Sequence, residues 1–318
     1  MGLPTAPRGL VADLVTPLKA DQSIDGTGLE RLLLRVAPHV QAVLLASPQT
    51  GEGTALDPAQ RWQLLEKALY TLRPFSVPIF MWITQDTQDK TNAAFTLLQQ
   101  GLDRQRGDTT AVFWVDTPLY YHSNRGLPDH YRTLCDASKE PFILHNDPKI
   151  TETVAGPFKR QNIRTAILKE LATLEGVAGL IFSGAMERAH HYRKACSRKS
   201  HFRIYDGEES HFLDHPSMSG AASAGANLAP RAWEEITRSS LQLSADQKVY
   251  PDHLQQIWEL GEYLRNLRDL YRPSPAPVIK AALAQTGIIE TPVCTTPGKD
   301  TTPTVNQMIH LMARFDDA

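Results

Sequence analysis

Gly176-Val177-Ala178-Gly179-Leu180-Ile181-Phe182 is apolar from end to end, and after a short polar turn the chain enters a helical pattern between Met186 and Cys196. A strand that is apolar at every position, rather than at alternate ones, is buried on both faces. That is the habit of parallel sheets covered by crossover helices. The same alternation of apolar run and amphipathic stretch extends outward in both directions. It predicts further strands at 9–15, 42–46, 77–83, 111–115, 142–144 and 202–205, and helices at 29–36, 58–72, 90–102, 127–138, 158–174 and 185–196. Asp57 and Pro58 mark the start of the second helix, because Asp caps free N–H groups and Pro lacks the N–H that would go unpaired in a first turn. Six or seven consecutive βα units predict a closed (β/α)8 barrel rather than an open doubly wound sheet. The eighth strand is the least marked: residues 217–227 are small and rich in Gly and Ala, a composition that strand propensity alone would not select. Beyond Pro230 the pattern turns helical, at 232–242, 252–270, 278–285 and 305–315. The expected organisation is therefore a barrel over 8–230 with a C-terminal helical region over 231–318 packed on it.

Bulk properties narrow the function. A chain of 318 residues with 42% hydrophobic content has enough apolar material for one large domain. A formal charge of −2 gives no reason to expect a nucleic acid or an acidic membrane as partner. No apolar run approaches the roughly 18 residues that span a bilayer. The first eight residues do not read as a secretory leader, and Ala6 stands where a myristoylation signal needs Ser or Thr. Cys135, Cys196 and Cys294 lie far apart, so neither a disulfide framework nor a cysteine-rich zinc site is expected. These features describe a soluble cytoplasmic protein with no cofactor.

Chemistry concentrates in Asp206-Gly207-Glu208-Glu209-Ser210-His211-Phe212-Leu213-Asp214-His215, after the seventh strand, at the end where barrel sites form. His211 and His215 have the spacing of two metal ligands on one helix face, and His145 could add a third. A metal there would polarise a keto acid as a Lewis acid. The plainer reading is a polar loop and a helix start, with Glu near the positive end of the helix dipole. His190 and His191 are adjacent on a helix and point apart, as surface residues do. Thr50-Gly51-Glu52-Gly53 offers backbone N–H groups to an anion but lacks the GK[ST] of a phosphate loop. There is no GxGxxG and no nucleophile elbow.

Six fragments, each at the end of an expected strand, carry a resemblance. They are Leu14-Val15-Thr16-Pro17-Leu18, Thr50-Gly51-Glu52, Thr117-Pro118-Leu119-Tyr120, Leu144-His145-Asn146-Asp147-Pro148, Asp206-Gly207-Glu208-Glu209 and Ala226-Asn227-Leu228-Ala229-Pro230. In this order they resemble the landmarks LVTPF, GTTGE, TPYY, LYNVP, SGDD and ANVAP of the dihydrodipicolinate synthase and N-acetylneuraminate lyase family, over roughly residues 8–290. The resemblance implies a homo-oligomeric barrel, dimer or tetramer, whose site holds pyruvate as an imine on a strand lysine. It places that lysine at Ile181, the proton-relay tyrosine at His145, and the relay threonine at Gln49, with Pro48 in place of a glycine. An arginine for the second substrate's carboxylate would fall near Ile150, beside Lys149. Retained are Thr50 and Gly51 of the carboxylate loop, Tyr120, which the family borrows across its dimer interface, and Gly207, Glu208 and Asn227 at the rim.

An imine needs an amine of lowered pKa beside a proton relay. Isoleucine can neither attack a carbonyl nor accept charge, and loss of a relay alone costs about 10²–10⁴ in rate. The expectation is a protein that binds a small keto or carboxylic acid with the lysine chemistry lost. The alternative is a carbon–carbon lyase or synthase acting on a pyruvate-like substrate through Lys149 or a metal at His211 and His215. Whether the protein is an enzyme stays open between these two.

Overall fold

The structure, a computed structural model, describes residues 2–105, 110–154, 160–241, 252–296 and 301–315. Eight strands close into a parallel barrel in chain order. They are β1 (Gly9–Asp13), β2 (Ala42–Leu45), β3 (Ile79–Trp82), β4 (Val112–Asp116), β5 (Phe142–Asn146), β6 (Val177–Phe182), β7 (Arg203–Asp206) and β8 (Gly220–Ser223). The ring shuts where β8 pairs with β1, from Gly9↔Gly220 to Ala12↔Ser223. The predicted (β/α)8 barrel is the observed fold, and 217–227 does supply its eighth strand.

Size matching explains how so bland a segment serves there. The barrel interior is filled by large side chains from other strands, with Phe80 edge-on to Phe113 at 5.1 Å and to Tyr205, on the neighbouring β7, at 5.8 Å. Little room remains for β8. At Gly220 a Cβ would collide with the Gly9 carbonyl oxygen, so only glycine lets the two strands approach. β6 carries one extra residue: Phe142 pairs with Val177 and Ile143 with Gly179, leaving Ala178 as a bulge. The bulge resets the in–out alternation, and Ala178 and Ile181 both face the interior cluster.

The helices α1 (Gly26–Val36), α2 (Pro58–Leu72), α3 (Gln88–Arg104), α4 (Leu127–Ala137), α5 (Pro148–Val154), α6 (Thr165–Leu171), α7 (Met186–Cys196), α8 (Glu209–Asp214) and α9 (Pro230–Ser240) follow the strands. Asp57 caps α2 in a full capping box with Gln60. Two expectations change here. The helix read over 158–174 begins only at Thr165, residues 158 and 159 lying outside the described residues. Asn146 Oδ1 accepts from the Ile163 N–H at 2.7 Å and Asn124 Oδ1 from the Arg164 N–H at 2.7 Å, so side chains capture the donors a longer helix would use. A short helix, α5, was not expected; Asp147 Oδ1 accepts from the Lys149 N–H at 2.8 Å and turns the chain into it.

α9 packs on β1 and thus covers the closing strand pair. α10 (Asp252–Tyr271), α11 (Pro275–Gln285) and α12 (Thr302–Ala313) follow, α10 lying against α8 and α9. Among the described residues no helix is long and apolar enough to cross a membrane.

Candidate functional site

A cavity of about 150 Å³ opens at the C-terminal ends of the strands, the end at which barrel enzymes build their sites. Its floor is Asp13 from β1, His145 from β5, Ile181 from β6 and Ala222 from β8. The loop after β2 contributes Ser47, Pro48, Gln49 and Thr50. That loop turns sharply, with Ala46 and Glu52 both in the left-handed region at φ 54° and 53°, a local strain of the kind concentrated at binding sites. Arg268, Tyr271 and Arg272 at the end of α10 lean over the mouth.

Burial sets the protonation of the floor. Asp13 is partly buried, and its Oδ1 is sealed from solvent without a hydrogen-bond partner. Desolvation pushes its carboxyl up to about 7, with the negative charge of Glu209 adding to the rise and the hydroxyls of Ser47 and Thr50 opposing it. Desolvation likewise raises Asp147 to about 6 and Asp206 to about 7. His145 is pushed down to about 4 by burial and is therefore a neutral imidazole at physiological pH.

The tautomer of His145 follows from its neighbours. Thr117 Oγ1 accepts the Trp82 indole N–H at 2.9 Å and lies 2.9 Å from His145 Nδ1. With the indole donating into it, the hydroxyl hydrogen is available for Nδ1, an arrangement that goes with the ring proton on Nε2. Thr117 is held in turn: its N–H donates to Thr84 Oγ1 at 2.7 Å, and Thr84 donates to Asp116 Oδ1 at 2.6 Å. Asp116 is fully buried and also accepts from Tyr121 and Tyr131, each at 2.7 Å. Glu209 anchors the other side, accepting from Ser223 Oγ at 2.6 Å, the Gly225 N–H at 2.9 Å and Tyr271 OH at 2.6 Å.

A sequence model of the dihydrodipicolinate synthetase family matches residues 6–312. The chain belongs to that family. It is 24% identical over 287 residues to the 4-hydroxy-tetrahydrodipicolinate synthase of Helicobacter pylori strain Shi470, with 88% of each chain covered. The corresponding protein of Chlorobium phaeovibrioides is 26% identical over 297 residues, covering 89% of this chain and 88% of that one. Among solved structures, dihydrodipicolinate synthase of Thermotoga maritima superposes with a TM-score of 0.77 at 20% identity, covering 98% of this chain and all of that one.

The dihydrodipicolinate synthetase landmarks divide into those that line the cavity and those that do not. Gln49, Thr50, His145, Lys149, Ile150, Ile181, Gly207 and Glu208 line it. Gly51 does not: its N–H is held by Ser47 Oγ at 2.9 Å and its carbonyl by Thr16 Oγ1 at 2.7 Å, so it shapes the loop rather than touching the space. Asn227 is not at the rim but fully buried, accepting from the Val15 N–H at 3.1 Å and donating to the Asp13 carbonyl at 2.7 Å. It ties β8 to β1. Tyr120 faces a separate hollow with Trp82, Thr84, Gln85 and Lys90.

Lys149 sits at the outer edge, 70% exposed, with Nζ 2.8 Å from Glu208 Oε1. An ammonium paired in water is the reverse of the desolvated, unpaired amine that a nucleophile requires. The histidine pair fails for a different reason. α8 ends at Asp214, and His215 has left the helix at φ −145°, so the i, i+4 face predicted for His211 and His215 is not formed. Among the described residues no three His, Cys, Asp or Glu side chains converge to hold a metal ion.

Sequence reasoning missed Asp13, Thr117, Glu209, Arg268 and Tyr271. For Asp13 there was a signal, a single charge at the C-terminal end of an otherwise apolar strand. Nothing in the helical pattern of α10 announces which of its residues turn toward the barrel mouth.

Proposed function

We infer that the protein binds a small carboxylic acid in the barrel mouth without forming an imine, so that the lysine chemistry implied by the family resemblance is lost. The observation that carries this reading is the cavity wall itself. Ile181 occupies the place the resemblance gives to the lysine and packs into the interior cluster. The one lysine on the wall, Lys149, is at its solvent edge and paired with Glu208. Arg268, Arg272 and Lys149 line the mouth beside Asp13, Asp147, Glu208 and Glu209, and it is the guanidinium groups that offer a ligand carboxylate its donors. The cavity is of the size that, in an apolar site, admits one small ring of about six heavy atoms. The homo-oligomer implied by the resemblance belongs to the same reading, since Tyr120 is directed away from its own chain's cavity.

Incubation with pyruvate and borohydride, followed by intact-mass measurement, tests the central claim. Borohydride traps an imine as a stable amine, so no pyruvyl adduct is expected, while a lysine-bearing dihydrodipicolinate synthase treated in parallel is labelled. A stoichiometric adduct that maps to Lys149 overturns the reading.

A further inference from the structure

We propose that the ligand of this mouth is a small α-amino acid, its ammonium held by Asp13 and its carboxylate by Arg268. The proposal rests on the reading that the mouth takes a carboxylic acid without an imine, and it names the group at the other end of that acid. Two groups with unused hydrogen-bonding capacity line the same space. Asp13 Oδ1 is buried with no partner, and the charge acting on its carboxylate is that of Glu209, which has the same sign. A buried carboxylate met only by the hydroxyls of Ser47 and Thr50 is costly to ionise, and a ligand bringing positively charged N–H groups lowers that cost. Arg268 is the complementary group, ion-paired but without a described hydrogen-bond acceptor. Its guanidinium is only 12% exposed, the nearest carboxylate oxygens of Glu208, Glu209 and Asp269 lie 4.0, 3.8 and 3.6 Å away, and no described residue accepts a hydrogen bond from it. A planar fork of spare donors matches a ligand carboxylate in bidentate fashion.

A keto acid suits the floor poorly. Once Asp13 is ionised, the carbonyl oxygen of a keto acid, an acceptor, would meet acceptor oxygens, whereas an ammonium in the same place donates three times. The protein and ligand have in effect exchanged partners: the amine absent at Ile181 is brought by the ligand, and the fixed carboxylate is on the barrel. Leu44, Ile181, Ala222 and Pro275 line the same cavity and offer apolar contact to a short side chain. The rise of the Asp13 carboxyl to about 7 fits this assignment, since in the absence of a cation the site retains a proton.

The pH dependence separates the two ligand types by sign. An ammonium ligand binds ionised Asp13, so its affinity grows as pH rises through about 7; a keto acid accepting from protonated Asp13 binds more weakly over the same interval. His145 is neutral throughout that interval, while Asp147 and Asp206, at about 6 and about 7, titrate within it. The Asp13→Asn variant separates their contribution from that of Asp13.

Isothermal titration of the full-length protein with L-alanine and with pyruvate, which share a carbon skeleton, tests the assignment at pH 6 and pH 8. L-alanine is expected to bind at least about tenfold more tightly than pyruvate at pH 8, and to tighten about tenfold between pH 6 and pH 8. Asp13→Asn should abolish both the preference and the pH slope, and Arg268→Gln should weaken both ligands alike. Circular dichroism verifies that each variant is folded, and the wild-type comparison needs no variant. Equal or tighter binding of pyruvate, or an L-alanine affinity that falls with pH, overturns the proposal while leaving the carboxylic-acid reading intact. If neither ligand binds, or if pyruvate is trapped as an imine, the underlying reading fails and the proposal with it.

Discussion

At the scale of single residues, His145 shows how one position can change chemistry while the barrel stays the same. The resemblance assigns a relay tyrosine there; the structure has a buried imidazole whose Nδ1 faces the Thr117 hydroxyl. Its depressed pKa, about 4, fixes the sign of its effect on stability. The unfolded chain takes up a proton near pH 6.5 and the folded one only near 4, so stability is complete above 6.5 and is lost as pH falls through that window. The wild-type protein should therefore lose on the order of 2–3 kcal/mol more than a His145→Gln variant between pH 7 and pH 4. Urea titrations at the two pH values measure this directly, and equal losses would mean that the imidazole is protonated in the fold. Much of the site was legible at this scale, because Gln49, Thr50, His145, Ile181 and Gly207 all lie at or just past the C-terminal ends of strands and all reach the cavity. Gly51 and Asn227 sit in the same motifs yet hold the backbone together, a distinction set by which side of a turn each faces and thus invisible to spacing.

At the scale of elements, legibility followed composition. β1 to β7 each carry at least two large apolar residues and could be read directly, whereas β8, Gly220-Ala221-Ala222-Ser223, has none and is a strand because of its neighbours. Phe80, Phe113 and Tyr205 of the neighbouring β7 fill the interior, so small residues are what the remaining space admits. α6 and α8 were misjudged because side-chain hydrogen bonds and an early helix end override periodicity. The packing account of β8 makes a sharp comparison possible. Gly220→Ala pushes a methyl group into the Gly9 carbonyl and should cost roughly 1–3 kcal/mol or more. Gly26→Ala at the start of α1 adds a methyl group that meets nothing and should be neutral or stabilise by up to ~1 kcal/mol. Urea midpoints with an unchanged m-value distinguish a change in stability from a change in the extent of unfolding. A neutral Gly220→Ala would contradict the close approach of β8 to β1.

At the scale of the whole molecule, the C-terminal helices are joined to the barrel by a buried ion pair. Lys280 of α11 is fully buried and donates to Glu52 Oε2 and, at 2.8 Å, to the Val293 carbonyl. Glu52 Oε1 accepts from both the N–H of Thr295, at 2.6 Å, and its hydroxyl, at 2.9 Å. Glu52 ends the loop that carries Ser47 to Thr50 into the cavity, so the pair fixes one wall of the site against a segment more than two hundred residues away in the chain. Such a pair is satisfied on both sides, and desolvation makes its halves unequal to the whole. Removing Lys280 leaves the buried Glu52 carboxylate without its counter-ion, so Lys280→Met should destabilise by about 3–5 kcal/mol. Adding Glu52→Gln to that variant removes the stranded charge and should recover part of the loss, which a double-mutant cycle in urea reads as a coupling energy. Additive losses would mean that the C-terminal helices are held by their apolar contacts alone and that the Glu52–Lys280 pair is incidental to the joint.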